Sequence, residues 1–288
     1  MKKLYSIAGL NVEITGDKTL KQVVGLPGFN IFEIDYQKET NIDIHIHLDK
    51  DIDITQLTNI NKIYYSKILD IKHSFFEHKD GFLYEMYKLD GSKIVSIIYN
   101  AESNNVLMSP CCCELSLKYA MWVAYTLSAI KMKVLPMHAS SIVKDSGAVL
   151  FLGESGTGKS THTRLWLQYI ENSYLLNDDS PLLRIENNEI FIYGSPWSGK
   201  THYYSRESFP LKAIVRLSQF PENRMILPNK LVSIGAIQPS FPPFFAYNEQ
   251  FSEKIIQTID KIINEIPVYE LKCRPDKQAA ETAYAAIY

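Results

Sequence analysis

Eight consecutive residues, Gly153-Glu154-Ser155-Gly156-Thr157-Gly158-Lys159-Ser160, fit the pattern G-x-x-x-x-G-K-[ST] in full, and Thr161 follows. Each position in such a run has a physical task. The glycines let the backbone curl so that successive N–H groups point inward as an anion nest, and a helix opening near Lys159 would add its positive end. Lys159 is placed to reach the β- and γ-phosphates of a nucleotide, and the Ser160 hydroxyl stands where a Mg²⁺ ligand is needed. The pattern also demands an apolar strand before it and a helix after it. Both are present, as "GAVLFL" and "STHTRLWLQYI". Residues 153–161 are therefore read as a phosphate-binding loop.

A loop that holds a triphosphate needs a partner that acts on it. In "NSYLLNDDSPLLR" a short apolar run delivers Asn177, Asp178 and Asp179 at its carboxyl end, where ligands bind in open α/β sheets. Lys159 to Asp178 is 19 residues, room for one helix out and one strand back beside the loop. Two adjacent carboxylates there can divide the labour, one holding Mg²⁺ and the other taking a proton from an attacking hydroxyl. Asp-Asp-Ser-Pro is also good turn chemistry, which does not exclude function.

His138 heads the strand-like "HASSIV", 15 residues before Gly153. A hairpin through Lys144-Asp145-Ser146-Gly147 would return the chain beside it, so that His138 meets the loop. Downstream, "YGSPWSGKTHYYSRES" (193–208) offers Lys200, His202 and Arg206 as cations that could neutralise charge on a transferred phosphoryl group. His162, Arg164 and Trp166 ride the helix after the loop and read as surface or packing residues.

The elements that must position these groups fall into two textures. The first hundred residues or so read as β. "NIDIHIHLD" alternates apolar and polar residues with period two, and Asp80-Gly81 and Asp90-Gly91 mark hairpin turns between β-branched and aromatic runs. His45 and His47 share one face of that strand, read as a solvated polar face. "ELSLKYAMWVAYTLSAIKMKV" predicts a mostly apolar helix packing the two halves together. From Leu135 strands alternate with helices, an α/β layer pattern. Phe251, Ile255, Ile259, Ile262, Ile263 and Ile266 lie at helical spacing up to Pro267; a strand "VYELKC" and a last helix from Pro275 follow. Residues 238–248 read as an ordered, irregular Pro/Phe loop. The expected organisation is an N-terminal antiparallel β domain (1–113), a connecting helix (114–134) and a catalytic α/β domain (135–288), α+β overall.

Composition sets outer limits. The chain is 46% hydrophobic and rich in aromatics, with 18 Tyr and 13 Phe, which argues for a packed globular protein. A net charge of −2 gives no reason to expect nucleic acid or an anionic membrane as partner. The most apolar stretch, 119–130, is too short to span a bilayer, and the N-terminus lacks a secretory pattern. A cytoplasmic location is the expectation, with Cys111, Cys112, Cys113 and Cys273 as reduced thiols: neighbours in sequence do not readily meet disulfide geometry, and their spacing is not that of a zinc site.

Taken together, "MHASSIVKDSGAVLFLGESGTGKSTHTRLWL" and "LLNDDSPLLR" resemble the catalytic domain of HPr kinase/phosphorylase, within the wider phosphoenolpyruvate-carboxykinase-like nucleotide fold. The segment "YGSPWSGKTHYYSRESFPLKAIVRL" looks like HPr-kinase-like proteins associated with peptide modification and small-molecule serine kinases. The resemblance covers about residues 135–217. It implies Lys159 on the phosphates of ATP, Ser160 on Mg²⁺, Asp178 as general base toward an acceptor serine, Asp179 as its metal-side partner and His138 as an assisting group. One departure stands out. The bifunctional kinases carry a metal-binding Glu three residues before a glycine after the Asp pair; here the position before Gly194 is Phe191, with Glu189 out of register. A second metal contact, phosphorylase activity and HPr itself as substrate do not follow.

Three readings result. The first is an ATP- and Mg²⁺-dependent kinase acting on a hydroxyl, serine foremost, of a peptide, small protein or metabolite. The second is a nucleotide-binding regulatory or assembly protein with little turnover, and the third a carboxykinase-like lyase. The sequence leaves a homo-oligomer open.

Overall fold

The computed structural model describes all of residues 1–288 except Lys38, Leu69, Cys112 and Lys200. Among the described residues the chain is a mixed α/β protein with seven α-helices and two nine-stranded sheets. It divides into two units, Met1–Met132 and Lys133–Tyr288. No helix is long and apolar enough to cross a membrane. Cys111, Cys113 and Cys273 are free thiols, and Cys112 and Lys200 lie outside the described residues.

The first unit comprises β1 (Lys2–Ile7), β2 (Leu10–Thr15), α1 (Lys18–Gly25), α2 (Phe29–Phe32), β3 (Glu33–Ile34), β4 (Ile44–His47), β5 (Asn61–Ile68), β6 (Ile71–His78), β7 (Gly81–Lys88), β8 (Lys93–Asn100), β9 (Asn105–Met108) and α3 (Glu114–Ala129). The sheet order is β3-β1-β2-β4-β9-β8-β7-β6-β5. It is not a purely antiparallel domain: β4 runs parallel to both β2 and β9. The period-two reading of β4 holds, with Ile44 and Ile46 buried and His45 and His47 half-exposed. Those two rings stack 6.2 Å apart. His47 Nδ1 meets Thr15 Oγ1 at 2.8 Å and His45 Nδ1 lies 3.5 Å from Glu13, so both histidines have partners on β2.

Both Asp-Gly hairpins form, with one shift. His78 pairs with Gly81, which makes Lys79-Asp80 the central pair and places Gly81 as the first residue of β7. Only glycine fits there, because a Cβ would sit 2.0 Å from the Tyr99 carbonyl oxygen. Helices α1 and α2 interrupt the β texture expected of this region. The 114–134 segment, read as a connector, contributes α3 to the first unit. There it seats on β4, β8 and β9, and the division of the chain falls after Met132.

The second unit comprises β10 (Val134–Pro136), β11 (Ala139–Lys144), β12 (Gly147–Leu152), α4 (Lys159–Tyr169), β13 (Ser173–Asp179), β14 (Leu182–Glu186), β15 (Glu189–Tyr193), β16 (Ser208–Gln219), β17 (Arg224–Ile226), α5 (Lys230–Ile237), α6 (Glu249–Glu265), β18 (Val268–Cys273) and α7 (Lys277–Ile287). Along the sheet the order is β10-β14-β15-β16-β12-β11-β13, with β18 also on β16 and β17 on β18. The strand bearing the aspartates comes back to the glycine loop's edge of the sheet, where Asp178 meets Ser160, but it is not the sheet neighbour of β12. Instead β11 lies between β12 and β13, antiparallel to both.

Apolar positions of β11, β12, β16 and β18 form the floor on which α4 and α7 pack, including Ile142, Phe151, Val215 and Leu271. Trp166 anchors α4. It is fully buried, tilted on Phe151 at 5.5 Å, edge-on to Tyr284, and its Nε1 donates to His162 Nε2 at 3.1 Å. This confirms His162 and Trp166 as packing residues. Burial lowers His162 to about 4, so it sits neutral as the acceptor for Trp166.

The unfolded chain titrates that histidine near 6.5, so between about pH 6.5 and 4 the unfolded state binds the extra proton and stability falls as pH falls. Going from pH 7 to pH 4 should therefore cost the wild type about 3 kcal/mol more than it costs His162→Gln, whose amide oxygen can still accept from Trp166. Urea unfolding followed by tryptophan fluorescence reads the difference. Equal losses in both proteins would contradict the buried neutral histidine.

Candidate functional site

The β11 register decides what meets at this end of the sheet. Ser140 pairs with Phe151 on one side and with Asp178 on the other, and Ala139 pairs with Asp179. Residue 138, the residue after β12 and the end of β13 therefore converge on one edge. His138 is pinned there by its own backbone, whose N–H donates to the Ser240 carbonyl at 2.7 Å.

The glycine loop joins β12 to α4 as its pattern demands. Gly158 is the N-cap of α4 with φ +106°, a left-handed conformation that favours glycine, and no side chain caps the first N–H groups of the helix. At Gly153 a Cβ would stand 2.4 Å from Thr157 Oγ1, which itself donates to the Glu154 carbonyl at 2.8 Å. Glu154, Ser155 and Gly156 are exposed; Thr161 is half-buried and accepts from Arg164 at 3.2 Å. Glu154 lies 4.0 Å from Arg216.

Lys159 turns back over this loop and is almost buried. Its ammonium donates to the carbonyls of Gly153 (2.7 Å) and Glu154 (3.2 Å) and to His138 Nε2 (3.0 Å). Three protons meet three acceptors. Since Nε2 accepts, His138 carries its proton on Nδ1, and that atom lies 3.2 Å from Asp179 Oδ1. The result is a directed chain, Lys159 to His138 to Asp179. Burial lowers the Lys159 pKa, while Asp179 and Asp178 pull it back toward the charged form.

Asp178 is 3% exposed, and its carboxylate is ringed by hydroxyls. Ser140 and Ser160 both donate to Oδ1, Ser160 at 3.1 Å, and Thr201 donates to Oδ2 at 3.2 Å. Its carbonyl accepts from Gly199 N at 2.6 Å and Ser198 Oγ at 3.2 Å. A buried carboxylate is tolerated only with such partners. Thr201, Ser198 and Ser140 are not singled out by the sequence reading; for Thr201 and Ser198 the available signal is the density of hydroxyls in 193–208. Asn177 is structural: its amide donates to Ser195 Oγ and the Trp197 carbonyl and holds this segment against β13. Of the cationic candidates, His202 is exposed beside Tyr204 and Arg206 is exposed on the same segment. Phe191 and Glu189 both lie on β15, away from the buried Ile190 and Ile192.

No family model matches the chain, and no curated protein matches it. Among solved structures it is similar to the Hpr(Ser) kinase/phosphatase from Coxiella burnetii, at 13% identity and a TM-score of 0.29, over 52% of this chain and 95% of that one. The likeness is distant.

Asp179 has φ +117°, a conformation that costs a non-glycine residue about 1–3 kcal/mol. Asp179→Gly should thus be more stable than Asp179→Ala by about 1 kcal/mol, although both lose the carboxylate. In an unstrained strand alanine would be the more stable of the two. Chemical denaturation of the pair tests this, and alanine ahead of glycine would show that the backbone at 179 is not strained.

Proposed function

We propose that the chain is an ATP- and Mg²⁺-dependent kinase that transfers the γ-phosphoryl group to a hydroxyl, serine foremost, of a peptide, small protein or metabolite. The observation that carries this reading is the Asp178 carboxylate. One oxygen faces Ser160, the last residue of the glycine loop, and the other takes a side-chain hydroxyl, that of Thr201, at 3.2 Å. A carboxylate that meets the loop on one side and a hydroxyl on the other is what a phosphoryl-transfer base requires.

In this proposal the loop N–H groups and the open end of α4 hold the phosphates. Lys159 exchanges the Gly153 and Glu154 carbonyls for phosphate oxygens. Its bond to His138, backed by Asp179, keeps the ammonium at that edge of the sheet. An acceptor hydroxyl takes the place of Thr201 at Asp178 Oδ2. As its oxygen bonds to the γ-phosphorus, its proton passes to Asp178 and the bond to the ADP leaving group breaks.

The residues also fit a metal. Two neighbouring ligands of an octahedral Mg²⁺ lie about 2.9 Å apart, and Ser160 Oγ and Asp178 Oδ1 are separated by 3.1 Å. When bound, Mg²⁺ would neutralise charge on the phosphates. Among the described residues no group of three or more His, Cys, Asp or Glu is arranged to hold a metal. This proposal moves the metal contact from Asp179 to Asp178, and leaves Asp179 to orient His138.

The test is transfer of label from γ-labelled ATP with Mg²⁺ to free serine or serine-containing peptides. Asp178→Asn should lower the transfer rate about a hundredfold or more, and Lys159→Ala should weaken ATP binding. Full transfer by Asp178→Asn would sink the base assignment. ATP binding with no transfer by the wild type would sink the kinase.

A further inference from the structure

Ser140, Ser160 and Thr201 all donate to the Asp178 carboxylate, and they differ in their freedom to react. Ser140 is fully buried on β11, with β12 on one side and β13 on the other, so a phosphoryl group added there would have to displace packed neighbours. Ser160 belongs to the glycine loop and, in the kinase reading, to the metal. Thr201 is an exposed residue outside the loop, and it bonds to Oδ2, the oxygen not shared with Ser140 or Ser160.

Resting on the kinase reading, we propose that Thr201 is itself a phosphoryl acceptor, so that the chain phosphorylates its own residue 201 when no other hydroxyl substrate is bound. In that step the bond from Thr201 Oγ1 to the γ-phosphorus forms and the bond from that phosphorus to the ADP oxygen breaks. The hydroxyl proton passes to Asp178 Oδ2. The products are ADP and a phosphothreonine, and ATP is the sole co-reactant.

Position favours this threonine. Its segment is fastened to the residue that carries the base: Gly199 N donates to the Asp178 carbonyl at 2.6 Å, Ser198 Oγ donates to the same atom at 3.2 Å, and Ser198 forms a β-bridge with Asp179. Thr201 Oγ1 therefore stands 3.2 Å from Asp178 Oδ2 with no binding step, the condition under which an intramolecular reaction gains most. The reaction also ends itself. The proton that holds Thr201 on Oδ2 is lost, and the phosphate that replaces it carries about −1.5 to −2 charges at neutral pH. Beside Asp178 and Asp179 that charge is repelled, so the modified side chain leaves Oδ2 and opens the position to an outside hydroxyl. Each chain takes one phosphoryl group at this residue and no more.

The test incubates the full chain, at several concentrations, with γ-labelled ATP and Mg²⁺ and no acceptor, and locates the phosphate by peptide mass spectrometry. Label should accumulate on Thr201 toward one phosphoryl group per chain, at a first-order rate that does not change with protein concentration. Thr201→Ser should still be labelled at residue 201. Thr201→Val, which keeps the shape without the hydroxyl, should take up no label there, and Asp178→Asn should slow the labelling of Thr201 about a hundredfold. A wild type that phosphorylates an added serine peptide but leaves Thr201 unmodified would overturn this inference and spare the kinase. So would label confined to other residues of the chain, or a rate at Thr201 that rises in proportion to protein concentration, which is transfer between molecules. Absence of label from the chain and from every added acceptor would overturn both.

Discussion

One strand, β11, sets the terms for everything at the candidate site. It is antiparallel to β12 on one side and to β13 on the other, so the loop leaving β12 and the aspartates ending β13 must appear at the same edge, with residue 138 between them. A one-residue slip in either ladder would turn every side chain to the opposite face. That would separate Ser140 from Asp178 and His138 from Lys159. The buried apolar residues of β11 and β12, packed beneath α4, are what hold the register. The chemistry thus depends on a hydrophobic constraint several residues away from it.

On that frame the polar groups complete one another. Lys159 spends all three protons on acceptors, His138 passes the chain on to Asp179, and Asp178 gathers hydroxyls from β11, α4 and the segment after β15. A network of this kind in low dielectric is stable only when every member has a partner. It also holds strain, seen in the positive φ of Asp179. The contacts of Asn177 with Ser195 and Trp197 hold the segment after β15 against β13.

Much of this was legible in the sequence because it is local. The glycine loop with its strand and helix, the hairpin returning His138 to Gly153, the Asp pair at a strand end and the apolar stripe of α6 are each written within a couple of dozen residues. What was not legible is long-range. Spacing between Lys159 and Asp178 cannot reveal that β11, earlier in the chain, inserts between β12 and β13. Thr201 reaches Asp178 only through the fold, and serine and threonine are too common to stand out. In the first unit, α1 and α2 were missed within a stretch read as β, and β4 was assigned correctly as a strand without any sign that it would pair in parallel.

The central claim is that the glycine loop and Asp178 together hold a metal–triphosphate complex poised for transfer. Its most direct test is a crystal structure with a non-hydrolysable ATP analogue and Mn²⁺ in place of Mg²⁺, the metal located by anomalous scattering. The account predicts one manganese within bonding reach of Ser160 Oγ and Asp178 Oδ1, with the terminal phosphate against Lys159. Manganese and nucleotide bound away from this edge of the sheet, or nucleotide bound there with no metal at Ser160, would contradict it.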